Sequence, residues 1–101
     1  MTPSELPTPF NALSGETKGY FSIGTTSGWE IEFTRFSRQG EFLAVEGGPA
    51  SEYNPKLWPG VTFSGGHPDW AGNWSRFPRL LVRISEIAWL AETPEGVDYP
   101  A

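Results

Sequence analysis

The chain has 101 residues, no cysteine and a formal charge of −5. That length buries roughly two-thirds of its unfolded surface and supports one core rather than two, and the lack of cysteine excludes disulfides, thiolate metal sites and thiol catalysis. Hydrophobic residues make up 38% and aromatic residues 15%, with five tryptophans, too much apolar surface for the usual disordered class and enough flat rings either to seal a thin core or to anchor an interface.

Residues 1–17 contain Pro3, Pro7 and Pro9 among Ser, Thr and Gly15. Proline fixes its own φ and restricts the residue before it, so this stretch resists regular structure and is expected to form an arm. Leu6, Phe10 and Leu13 are its available tethers. A single β domain is expected over 18–93, with a tail over 94–101.

The first strand signal is GYFSI, residues 19–23, followed by a turn at Gly24-Thr-Thr-Ser-Gly28. Trp29-Glu-Ile-Glu-Phe33 then alternates, with Trp29, Ile31 and Phe33 on one face and Glu30, Glu32 and Thr34 on the other. Arg38-Gln39-Gly40 interrupts the pattern and Glu41–Glu46 resumes it, which reads as an antiparallel hairpin over 29–46. From 47 to 78 the texture changes to Gly-Gly-Pro, Trp-Pro-Gly, Gly-Gly-His-Pro and Arg-Phe-Pro, all turn punctuation. A structureless connection of that length is unusual in a compact domain, so Val61-Thr-Phe63 is expected as a short strand inside it. Leu80–Ile84 alternates as a strand; residues 86–91 fit either another strand or one to two turns of helix, and the strand, meeting the first at a turn near Ser85-Glu86, is favoured because helix nucleation is costly and Pro94 follows closely. The fold expected is mainly β: a small antiparallel sheet or partly closed β-barrel of about five strands with a long turn-rich insertion.

Charge is unevenly placed. Residues 1–75 hold eight carboxylates against four cations, residues 76–83 hold Arg76, Arg79 and Arg83 with no carboxylate, and residues 84–101 hold four carboxylates with no cation. The averaged field repels phosphate backbones and anionic lipid, so direct nucleic-acid binding and membrane association are disfavoured. No apolar run approaches the roughly 20 residues that span a bilayer, and the start, MTPSELPTPFNALSGE, lacks the basic and apolar regions of a secretory signal. A cytoplasmic protein is expected.

Catalytic signals are weak. Glu30 and Glu32 point the same way on one strand with α-carbons roughly 6.6 Å apart, within reach of glycosidase-type separations, but the wet face of an ordinary amphipathic strand looks the same. His67 with Asp69 supplies two of the three or four ligands that zinc needs. Neither glycine pair, 47–48 or 65–66, lies in a phosphate-loop pattern. The expectation is a protein without enzymatic activity and without cofactor or metal, a metal-assisted or carboxylate-based hydrolase being the remote alternative.

The aromatic stretch HPDWAGNWSRFP, residues 67–78, carries the recognition reading. Trp58, Trp70, Trp74 and Phe77 supply rings, Arg76 a cation of the type enriched in interface hot spots, and Asp69 and Asn73 a polar rim. The structural alternative is that these rings fold back over an open end of the sheet and bury themselves. As a binding site the seven residues suit an acidic adaptor or inhibitor docking on a basic protein surface. The alternatives are a structural subunit strapped to its neighbour by the N-terminal arm, with homo-oligomers allowed, and a module for a sugar or other planar ligand.

Overall fold

The computed structural model describes residues 1–48, 60–65 and 74–94. Seven strands form one antiparallel sheet: β1 Ser14–Thr25, β2 Trp29–Gln39, β3 Phe42–Glu46, β4 Val61–Gly65, β5 Trp74–Phe77, β6 Arg79–Arg83 and β7 Ile87–Thr93. They occupy five lanes. β3 pairs with the second half of β2 and β4 with its first half, while β6 pairs with β3 and β5 with β4. The two short pairs are therefore one lane each, the first opened by the insertion after Gly48 and the second bent at Pro78. Across the sheet the lanes run β7, β1, β2, β3 with β4, and β6 with β5, and among the described residues the outermost two form no ladder with each other, so the sheet is not fully closed. This is the expected antiparallel architecture of about five strands.

The connection after β6 shows how far the sheet curls. Arg83 pairs with Phe42 at one end of the β2–β3 hairpin, and Ile87 pairs with Thr25 at the opposite end of the β1–β2 hairpin. Only Ile84–Glu86, a 3-10 turn, lies between them, and four virtual bonds reach at most about 14 Å. A flat β2 of eleven residues would hold those ends roughly 33 Å apart. Coiling brings the corners together, and two hydrogen bonds hold them: the Ile84 N–H donates to the Glu41 carbonyl at 2.9 Å and the Thr26 N–H to the Glu86 carbonyl at 2.9 Å.

Inside the curl sit Phe21, Ile23, Ile31, Phe33, Phe36, Leu43, Val45, Val61, Val82, Ile84 and Ile87, all buried. The simple alternation expected of β2 breaks once, because Phe33 and Phe36 are both buried although three residues apart. Between them, Thr34 donates its N–H to the Gly47 carbonyl at 3.2 Å. Opposite, β1 carries four residues, 17–20, between the pairs Glu16↔Arg35 and Phe21↔Phe33. This bulge changes the phase of the pleat and lets both phenylalanines enter one core.

The first seventeen residues do more than trail. Leu6 and Phe10 are core residues, whereas Leu13 is 79% exposed. The Phe10 ring meets Phe21 edge-on at 5.0 Å between centroids and Phe36 at 5.2 Å, contacts worth about 0.5–1.5 kcal/mol each beyond burial. The arm begins with a 3-10 turn, Pro3–Glu5, whose Glu5 carboxylate accepts the Thr2 N–H at 2.8 Å. Ser14–Thr17, expected in the arm, belong to β1, which starts five residues ahead of GYFSI. Their polar composition hid the strand because none of the four is buried: exposed Ser14 and Glu16 alternate with half-buried Gly15 and Thr17.

The β2–β3 turn is Gly40-Glu41, with Gln39 paired to Phe42. Gly40 has φ 61°, as the first central residue of a tight II′-type hairpin does. The predicted interruption at Arg38 and Gln39 is thus strand, and only the glycine and its neighbour turn.

Candidate interaction surface

Three of the seven predicted recognition residues, Trp74, Arg76 and Phe77, lie on a strand rather than in a loop. β5 forms a regular ladder with β4, Ser64 opposite Trp74 and Val61 opposite Phe77. It is an edge strand among the described residues, and the Phe77 side chain at its end is 39% exposed. Trp58, Asp69, Trp70 and Asn73, like His67, lie outside the described residues.

The framework nevertheless ties both of the connecting segments to β5. Residues 66–73 run from β4 into Trp74, the first residue of β5. The segment carrying Trp58 rejoins the sheet at Gly60, where an added Cβ would stand 2.7 Å from the Phe77 carbonyl oxygen. A Cβ on Gly48, where that segment leaves, would collide with the Gly60 carbonyl. Only glycines let the two backbones approach this closely. The chain topology thus gathers the roots of both segments at the two ends of β5.

Cross-strand registers extend the surface inward from β5. One row reads Trp74, Ser64, Glu30, Gly24, Trp89, and the next Arg76, Thr62, Glu32, Ser22, Ala91. Glu30 and Glu32 therefore stand in rows that begin at the aromatic edge. Trp89, at the far end of its row, is 45% exposed.

A second region occupies the other half of the sheet. Glu16, Arg35, Glu46 and Arg79 succeed one another in register across β1, β2, β3 and β6. Glu46 is held from both sides, by the Arg35 guanidinium at 3.3 Å and the Arg79 Nε at 3.3 Å. Their exposure keeps each pair in the range of about 0–1 kcal/mol, so the row orients side chains more than it stabilises the fold. Beside it the small residues Ser14, Ser37 and Ala44 leave a shallow groove of about 370 Å³. Nothing in the linear sequence announces this row, since its members come from four strands.

Among the described residues no group of three or more His, Asp and Glu side chains is placed to hold a metal ion. No helix there is long and apolar enough to cross a membrane. The structure is a small β domain with an internal aromatic cluster, two surface ion pairs on Glu46 and a partly exposed aromatic edge. Set against known family models, curated proteins and solved structures, the chain matches none.

Proposed function

We propose that this protein is a non-enzymatic interaction module, an adaptor or inhibitor, that docks a protein partner with the β5 edge and the two segments rooted beside it. The observation that carries the reading is the position of Phe77: an aromatic side chain 39% exposed on an edge strand, with Arg76 before it and both tryptophan-bearing segments joining at the ends of the same strand. Recognition residues are usually presented from a rigid scaffold, and the β4–β5 ladder is such a scaffold. Aromatic and arginine side chains carry most of the energy at such interfaces.

The preferred partner presents a basic surface. The chain carries −5 overall, and Glu30 and Glu32 lie in the rows that lead away from the edge. Opposite charge speeds encounter, while the buried rings slow dissociation. Three features of this chain belong to docking under this reading: the aromatic edge, the acidic rows and the glycine-built root.

Affinity capture from the host's lysate tests it, comparing the intact protein with a Trp70→Ala, Trp74→Ala variant and a Phe77→Ala variant. The expected result is one stoichiometric protein lost from both variants, with the β circular dichroism signal retained and capture weakened by added salt. Retention of the same partner by both folded variants would remove the β5 edge from the interface.

A further inference from the structure

We propose that the outer face of β7, β1 and β2 carries a binding site for an arginine side chain of a polypeptide partner, with the Trp89 indole as its platform and the Glu30 carboxylate as its counter-ion. The site goes beyond the β5 edge, since Trp89 and Gly24 lie on the opposite side of the central lane β2.

Backbone alternation puts the two groups on one face. Ile23 and Ile31 are buried in the core, so their neighbours Gly24 and Glu30, a register pair, point outward, and Gly24 is paired in turn with Trp89. The indole atoms Nε1 and Cε2 occupy the space that a Cβ on Gly24 would fill. Directly opposite Cβ positions stand about 4.5–5.5 Å apart, so the Glu30 side chain starts at about that distance from the ring and has the reach to set its carboxylate beside the pyrrole edge. The glycine between them is what lets the ring come so close to the acid. The ring is 45% exposed, and Glu30 is exposed as well.

Two features select a cation over a neutral ligand. The first is that Glu30 is uncompensated. Glu46 is held by Arg35 and Arg79, and Glu86 accepts the Thr26 hydroxyl at 2.9 Å, whereas among the described residues Glu30 has neither an ion-pair nor a hydrogen-bond partner. Arg76, the one cation in the two rows, stands in the neighbouring row, two lanes from Glu32. The second is the surroundings of the ring. The outward positions beside it, Gly24, Ser22 and Ala91, offer no amide, and the hydroxyl-bearing Ser22 is buried, so a sugar stacked there would find a carboxylate and little else to bond.

A guanidinium suits both features. It is planar and weakly hydrated, it stacks on aromatic faces, and its N–H groups form a fork that matches a carboxylate. A cation within about 6 Å of an indole centroid is attracted by the negative face of the ring. The compact ammonium of lysine gains the carboxylate without the flat stacking contact.

Titration of the isotope-labelled full chain with a capped tripeptide carrying a central arginine, read at the Trp89 indole N–H signal by NMR, tests this. That signal is assigned by its loss in Trp89→Phe. The expected result is a saturating shift, weaker with the lysine tripeptide and absent with cellobiose. Glu30→Gln should weaken binding of the arginine tripeptide about threefold or more while the rest of its spectrum stays in place. Glu16→Gln, which removes the same charge from the other half of the sheet, should bind as wild type does. The absence of a saturable shift with the arginine tripeptide overturns the proposal, as does an equal response to cellobiose or arginine binding that Glu30→Gln retains in full. The probe needs no partner protein, so failure here leaves the β5 reading standing, and failure of that reading leaves this site untouched.

Discussion

The Trp89 indole lies against the bare backbone of Gly24, its cross-strand partner: a Cβ built on Gly24 would fall among the ring atoms Nε1 and Cε2. The ring, carried by the outer lane β7, covers a glycine of the neighbouring lane β1 while nearly half of it stays exposed. Aromatic cover of a strand glycine compensates for the side chain the glycine lacks.

Gly24→Ala should therefore push the indole into water. The expected cost is about 1–3 kcal/mol, read by urea denaturation, together with a red shift in tryptophan fluorescence. In a Trp89→Ala background the same substitution should cost little, because the clash has gone. Equal penalties in the two backgrounds would show that Gly24 is needed for some other reason.

The arm's contribution can be measured at one ring. Phe10 is 2% exposed against Phe21 and Phe36, so Phe10→Ala should destabilise by about 3–5 kcal/mol. Leu13→Ala, at a position 79% exposed three residues later, should change stability by no more than about 0.5 kcal/mol. Chemical denaturation of the two variants separates a docked arm from a loose one; similar small values would mean the arm does not pack on the core in solution.

Glu5 provides a pH signature for the same segment. Its carboxylate accepts the Thr2 N–H, and this bond, followed by one from the Thr2 side chain, holds its pKa below the usual glutamate range. A lowered folded-state pKa means the stabilisation is fully present above the unfolded value and is lost as pH falls through the folded one. Carboxyl chemical shifts should therefore show Glu5 titrating at lower pH than exposed glutamates, and Glu5→Gln should remove that part of the acid sensitivity. A Glu5 that titrates with the others would mean the first turn is not formed.

Much of the sheet was legible because period-two burial leaves a mark on the sequence. Ile31 and Phe33 face the core as the alternation in Trp29–Phe33 predicts, and Val82 is buried between exposed Leu81 and Arg83. The turn near Ser85-Glu86 is there as a 3-10 turn, and the following segment is a strand. Signals failed where a strand carries no apolar alternation or is short: Ser14–Thr17 has no large apolar residue, and Trp74–Phe77 is a four-residue strand followed by a proline. Reading the latter as loop missed that an edge strand needs only one paired neighbour.

The sequence by itself determined the class: a cysteine-free acidic β domain, with a hairpin around Gly40 and a 15% share of aromatic residues. These follow from local rules, since alternation, glycine's access to positive φ and composition all act within a few residues. Tertiary structure decided which distant residues meet. It joined Phe10 to Phe21 and Phe36, aligned Glu16, Arg35, Glu46 and Arg79 across four strands, and brought Gly60 against Phe77. Those pairings depend on register, bulge and coil, and a single slip of one residue would send every side chain to the opposite face.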